Sequence, residues 1–199
     1  QIGAGACFLD IDKDGDLDLY VGNYIDFTVA KHQNRFVNGH PAYAGPMIYG
    51  PVPDTLYRNN GNGTFTDISR ESGIGAHAGT AMGMVCADYD DDGDTDIISG
   101  NTAGYIALIE NLSGARVEKP KWAAPKYLEA DGKVIRIMAG PNGSIQGPCE
   151  AKWGYTTLTV ADWDGDGLPD LVVNSIWGKV HWYRNTGSRQ QPKLAAAQP

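Results

Sequence analysis

Fifteen of the 24 acidic residues stand in three nonapeptides: DIDKDGDLD at 10–18, DYDDDGDTD at 88–96 and DWDGDGLPD at 162–170. Each carries aspartate at positions 1, 3, 5 and 9 and glycine at 6. So many like charges in a short loop repel one another unless they turn inward on a cation. Oxygen-only ligands disfavour Zn2+, and a flexible loop suits Ca2+ better than Mg2+, which sheds its water reluctantly. Side-chain oxygens are expected from Asp10, Asp12 and Asp14, from Asp88, Asp90 and Asp92, and from Asp162, Asp164 and Asp166. Asp18, Asp96 and Asp170 at position 9 close each shell. Position 7 is Asp16, Asp94 and then Leu168; leucine has no side-chain oxygen, so the ligand expected there is the main-chain carbonyl, brought round by a turn at Gly15, Gly93 or Gly167. The pattern predicts three Ca2+ per chain.

The elements that must position these loops are strands. An EF-hand needs a bidentate glutamate at position 12 and a helix on each side, whereas position 12 here is Val21, Ser99 and Val173. Each loop follows ACFLD, MVCAD or LTVAD and precedes LDLYV, TDIIS or PDLVV, apolar runs rich in β-branched residues that predict strand, metal loop, strand. A third strand then ends in a turn, at 55–65, 107–115 and 180–188, and the first of these continues as a hairpin through an Asn-Gly turn into TFTDIS. The loops start at Asp10, Asp88 and Asp162, and intervals of that length hold a whole supersecondary unit rather than a short solenoid turn. Four short antiparallel strands per unit describe a β-propeller blade.

Charge bookkeeping agrees. Outside the nonapeptides 9 acids face 15 lysines and arginines, so the formal charge of −8 belongs to the loops. The acidic balance therefore says nothing of basic partners, and no nucleic-acid role is expected. No apolar run is long enough to predict membrane insertion.

Through these residues the chain resembles the FG-GAP/VCBS repeats, the calcium-loop blades of integrin-type propellers and of many secreted bacterial proteins. Residues 3 to about 110 are similar to the cartilage-acidic-protein (ASPIC/UnbV-associated) branch, through GACFLDIDKDGDLDLYVGNY, YAGPMIYGPVPDTLYRNNGNGTFTDIS and MGMVCADYDDDGDTDI. The resemblance implies an all-β chain of propeller-type blades and a calcium-dependent extracellular module. In that branch the insertion before the YxGP segment often carries a cysteine pair; here residues such as Ala44 stand in those places.

One domain over 1–199 is expected: a first blade at about 3–70 with an insertion at 24–54, a second at about 80–125, a hairpin or insertion at about 126–156 and a third blade at about 157–197. Propellers close with about four to eight blades. Three leave the ring incomplete within this chain, unless 125–156 adds an irregular blade around the hairpin signal at Asp131-Gly132. The expected partners are other blades, in a longer polypeptide or in identical subunits joined as a ring or filament, because Leu19, Val21, Leu171 and Val173 would otherwise lie partly uncovered.

Cys7, Cys86 and Cys149 are too few for a disulfide framework, and the first two read as small buried hydrophobes. Asn62, Asn111 and Asn142 begin glycosylation sequons but stand where turns want asparagine. His32, His40, His77 and His181 show no metal spacing and no nucleophile partner, so no catalytic residue is expected. The insertion, with His32, Arg35, His40, Tyr43 and Tyr49, is the place to look for a protein or glycan ligand; Trp153, Tyr155, Trp177 and Trp182 offer either a sugar-stacking platform or inter-blade core. The reading is a calcium-binding, non-catalytic module for binding, adhesion or self-assembly at an extracellular, cell-surface or periplasmic site. A lectin, or a polysaccharide lyase or hydrolase on the same scaffold, is the alternative.

Overall fold

The computed structural model describes residues 2–42, 44, 48–113, 117, 119–144 and 147–198. Tyr43 and part of the YxGP segment lie outside them. The strands are β1 Ile2–Leu9, β2 Asp18–Ile25, β3 Arg35–Val37, β4 His40–Ala42, β5 Val52–Pro53, β6 Thr55–Asn59, β7 Phe65–Asp67, β8 Ala78–Gly79, β9 Ala81–Ala87, β10 Asp96–Asn101, β11 Ile106–Ile109, β12 Lys126–Tyr127, β13 Glu129–Ala130, β14 Lys133–Val134, β15 Thr157–Ala161, β16 Asp170–Asn174 and β17 Val180–Tyr183. Every ladder is antiparallel, so the chain is all-β.

Three sheets repeat one plan, with an acidic loop joining the first strand to the second. Their orders are β1-β2-β6-β7, β9-β10-β11-β12 and β15-β16-β17. In the third sheet the expected fourth strand is reduced to two isolated bridges, Asn185 with Leu194 and Trp182 with Gln198, the latter through two backbone hydrogen bonds of 2.9 and 2.8 Å. Residues 125–156 do not make another blade. Lys126 and Tyr127 complete the second sheet, and β13-β14 is a short hairpin turning at Asp131 and Gly132.

Side-chain alternation decides how the sheets meet. One face of the first blade, with Leu9, Tyr20 and Leu56, packs on the Ile97 and Ile109 face of the second. The opposite face of the second, with Ile98 and Ile106, packs on Leu171 and Val173 of the third, and Ala130 and Ile135 of the hairpin fill the same core. Leu171 and Val173 are thus fully buried, not exposed as their place in the last repeat predicts. Their in-register neighbours carry the open face: Val172 with Trp182 on the third blade, and Phe8 with Leu19 on the first, where Phe8 is 61 % exposed.

The same alternation explains a disulfide that the sequence reading misses. Cys7 on β1 is bonded to Cys86 on β9. Cys7 stands three residues before its loop and Cys86 two before its own, so they point to opposite faces of their blades, and opposite faces are what adjacent blades bring together. The first strands also approach closely: a Cβ at Gly83 of β9 would stand 2.7 Å from the Thr157 Cα of β15.

Candidate metal centres

Position 9 frames each loop. Asp18 accepts hydrogen bonds from the N–H groups of Ile11 (2.9 Å) and Asn59 (2.7 Å), Asp96 from Tyr89 (3.2 Å) and Asn111 (2.9 Å), and Asp170 from Trp163 (3.2 Å) and Asn185 (2.7 Å). One carboxylate oxygen closes its own loop while the other ties that loop to the end of the third strand. Those strand ends are held in turn by Asn59, Asn111 and Asn185, whose Oδ1 atoms accept from Gly61 (3.1 Å), Ser113 (3.1 Å) and Gly187 (2.9 Å). Nothing in the sequence reading gave these asparagines a place in the site. The signal was there: Asn111 follows Asp96 at the same interval as Asn185 follows Asp170, and the insertion lengthens that interval for Asn59. Asn111 is also nearly fully buried, which sets it apart from an exposed glycosylation acceptor.

Glycine at position 6 sits at φ +94, +94 and +88 in the three loops, the left-handed region that other residues enter at a cost. This aims its N–H back at position 1, with Gly15 donating to Asp10 (3.1 Å), Gly93 to Asp88 (3.2 Å) and Gly167 to Asp162 (2.9 Å). Position 5 caps the turn, since Asp14, Asp92 and Asp166 accept from the N–H of residues 16, 94 and 168 at 2.8, 2.8 and 2.9 Å. Asp94 at position 7 turns its side chain to Lys13 of the first loop, 3.3 Å away, and so links two blades.

Ligand atoms converge in each loop, though not in the same set. Carboxylate oxygens of Asp10, Asp12 and Asp18 lie within 4.8 Å of one another, as do those of Asp88, Asp90 and Asp96, and of Asp162, Asp164 and Asp166. Asp14 and Asp92 fall outside the first two sets, and Asp170 outside the third. In the first two loops one oxygen has no donor: Asp12 Oδ1 and Asp90 Oδ1 are buried without a hydrogen-bond partner, and Asp12 is only 9 % exposed. A buried carboxylate oxygen is costly to leave alone, and a divalent cation would satisfy it. The charges are raised in energy to match. Burial, and then Asp14, push the Asp12 carboxyl up; burial raises Asp18; burial, then Asp92 and Glu110, raise Asp90; and burial pushes Asp96 up to about 7. A divalent cation therefore fits loops 1 and 2.

Loop 3 differs. Its three convergent aspartates are all exposed, and Arg184 lies against them. Arg184 Nη2 donates to Asp166 Oδ2 at 3.0 Å, and Nε stands 2.7 Å from Asp164 Oδ2 as a charge contact without an aligned hydrogen bond. The Leu168 N–H, and then Arg184, hold the Asp166 carboxyl below its ordinary value. Asp170 receives a third donor, Trp182 Nε1 at 2.9 Å.

Of the remaining groups of interest among the described residues, the histidines do not gather, while Trp153 and Tyr155 meet edge to face with 5.6 Å between centroids. His32, Arg35, His40 and His77 are exposed, and His181 is half-buried on β17. At the end of β2 away from the acidic loop, Tyr24, Tyr49 and Trp153 line a cleft of about 290 Å³ with Thr80 and Thr102. Tyr49 is set there by an edge-on contact with Phe27, 5.1 Å between centroids. Trp177 and Trp182 stand apart from this cleft, Trp177 donating to the Ala139 carbonyl and Trp182 to Asp170.

Strand, acidic loop, strand, repeated three times in blades stacked face to face, is the architecture of a propeller-type repeat protein. Residues 10–99 match the FG-GAP-like repeat family. The third loop, at 162–170, lies beyond the match but shares its geometry. Among known proteins the chain is similar to cartilage acidic protein 1 of Mus musculus, 30 % identical over an alignment of 154 residues that covers 72 % of this chain and 20 % of that protein. It is also similar to cartilage acidic protein 1 of Xenopus tropicalis, 30 % identical over 212 residues (87 % of this chain, 29 % of that protein), and of Homo sapiens, 29 % identical over 154 residues (72 % and 20 %). The chain thus spans 20–29 % of the length of these relatives. The likenesses point to an extracellular repeat protein, and no helix among the described residues is long and apolar enough to cross a membrane.

Proposed function

We propose that this chain is a calcium-stabilised, non-catalytic module that binds or assembles outside the cell, at its surface or in a periplasm. One observation carries the metal reading: a buried, unpartnered oxygen in each of loops 1 and 2, on Asp12 and Asp90, inside a cluster of carboxylates. Asp10, Asp12 and Asp18 would hold one ion, Asp88, Asp90 and Asp96 another, with the carbonyls of Asp16 and Asp94 completing the shells. Bound calcium supplies the positive charge that lets these carboxylates stay ionised and close together. Binding to the folded chain alone then adds stability by mass action. Melting in calcium and in excess EGTA tests this: a clear fall on chelation is expected, and unchanged melting would refute it.

The open faces support the assembly reading. The Phe8 and Leu19 face of the first blade corresponds to faces that, on the second and third blades, receive the blade before them. Further blades, in a longer polypeptide or in identical copies, would cover it, as a ring where the angle closes and a filament where it does not. A second reading, a lectin, rests on the cleft of Tyr24, Tyr49 and Trp153, since aromatic rings beside hydroxyls suit a sugar face. Binding on a glycan array that disappears in Trp153→Ala would favour it.

A further inference from the structure

We infer that the three loops are not equivalent sites and that loop 3 carries its own cation: Arg184 takes the place that calcium takes in loops 1 and 2, so that calcium binds loop 3 more weakly and by displacing it. The inference rests on the calcium reading and adds a rank order to it.

The three loops meet the same structural position with different residues. The asparagine that ties each third strand to position 9 is preceded by Arg58 in blade 1, Glu110 in blade 2 and Arg184 in blade 3. Backbone hydrogen bonds fix this residue beside its loop, so its side chain belongs to the surroundings of the ion. In blade 2 it adds a carboxylate near Asp90. In blade 1, Arg58 lines an open cleft of about 550 Å³ over the loop, with Asp12, Asp14 and Glu71. In blade 3 the guanidinium reaches two of the three convergent aspartates, at 2.7 and 3.0 Å. The guanidinium donates a hydrogen bond to Asp166 and holds Asp164 by charge, so it occupies oxygens that the ion would need and competes with it.

Three further features separate loop 3. Its position 9, Asp170, accepts three hydrogen bonds, from Trp163, Asn185 and Trp182, which leaves less of its lone-pair capacity for an ion than Asp18 or Asp96 has. Position 7 is Leu168, so the loop has four carboxylates where loop 1 has five and loop 2 six. And whereas a buried oxygen of Asp12 and of Asp90 waits for a partner, no oxygen of loop 3 is in that position among the described residues. Cations also touch loop 2, Lys13 on Asp94 and Arg189 on Asp91, but both of those carboxylates lie outside its convergent set; with Glu110 beside Asp90, loop 2 should bind calcium most tightly, and loop 3, where the cation sits on the convergent aspartates themselves, least.

An exposed arginine–carboxylate contact is weak enough for a divalent ion to displace, yet it must be broken each time the ion binds. With a lower negative charge on the whole loop besides, loop 3 should bind roughly tenfold more weakly than loop 2. The loops can be told apart. Trp163 lies within loop 3 and Trp182 touches Asp170, while loops 1 and 2 contain no tryptophan, so terbium luminescence excited through tryptophan reports loop 3. Calorimetric titration with calcium counts all sites. The expected result is two tight sites and a weaker third, with the tryptophan-sensitised terbium signal falling at the last calcium additions. Arg184→Gln should tighten loop 3 several-fold in the terbium titration and leave the two tight calorimetric sites unchanged. Arg58→Gln is the control: it removes an equal charge beside loop 1, where the Asp12 oxygen is still without a donor, and should change its site less. Three equal sites, or equal responses to Arg184→Gln and Arg58→Gln, would overturn the inference while leaving the calcium reading intact. No binding at any loop would overturn both.

Discussion

The bond between Cys7 and Cys86 closes a loop of 79 residues across two blades, and its removal should be the largest effect of any exposed or half-buried substitution here. Replacing both cysteines by alanine frees the unfolded chain to explore that loop. For a ring of about 80 residues the chain-entropy relation gives about 15 cal/mol/K, or about 4.5 kcal/mol at 298 K. Compact denatured states retain part of this constraint, so a loss of about 2–4.5 kcal/mol is expected. For a chain of this length that lowers Tm by roughly 4–18 °C. Urea unfolding of wild type and the double variant, both in saturating calcium, measures it as the difference in free energy extrapolated to water, with a steeper slope expected for the more expanded unfolded chain of the double variant. Thiol titration comes first: the unfolded, unreduced protein should show one reactive thiol, that of Cys149, and three only after reduction. Three thiols without reductant would refute the linkage between blades. So would a double variant no less stable than an ordinary surface variant, within about 0.5 kcal/mol of wild type.

Metal-free stability should fall as pH rises from about 4 to 7. Burial holds the folded Asp96 carboxyl at about 7 against about 3.9 unfolded, and Asp12, Asp18, Asp54 and Asp90 move the same way, so the folded state binds more protons in that window. In calcium the slope should reverse, because acid expels the ion; matching slopes in EGTA and in calcium would be incompatible with the buried carboxylates as metal ligands. Tyr20→Phe removes the hydroxyl that donates to half-buried Asp54 at the end of the insertion, which leaves Asp54 with the Asn23 N–H, 2.7 Å away. A cost of about 1–3 kcal/mol in urea unfolding is expected, and none would mean that this bond does not anchor the insertion. Light scattering in millimolar calcium should find the chain associated through its open faces, and Phe8→Glu should return it to a monomer; a compact wild-type monomer would remove the assembly proposal.

The clustering of aspartates, strand identity and the all-β class were legible in the chain because they are local. Aspartate spacing and a glycine at the turn reflect the reach of a single nonapeptide, and β-branched runs on either side of a loop have one regular conformation open to them. The hairpins at Asn60–Thr64 and at Asp131-Gly132 were legible for the same reason. What lay beyond local reach was which face meets which. A shift of one residue in register turns every side chain to the other side, and that alone buried Leu171 and Val173, exposed Phe8, and brought Cys7 to Cys86. The difference between the loops was equally hidden. Arg184 is separated from its loop by the whole of β16 and β17, and reaches Asp164 and Asp166 only because Asp170 receives the Asn185 N–H at the end of the third strand. Three near-identical motifs therefore became three different electrostatic sites, through contacts that only the packing of strands side by side creates.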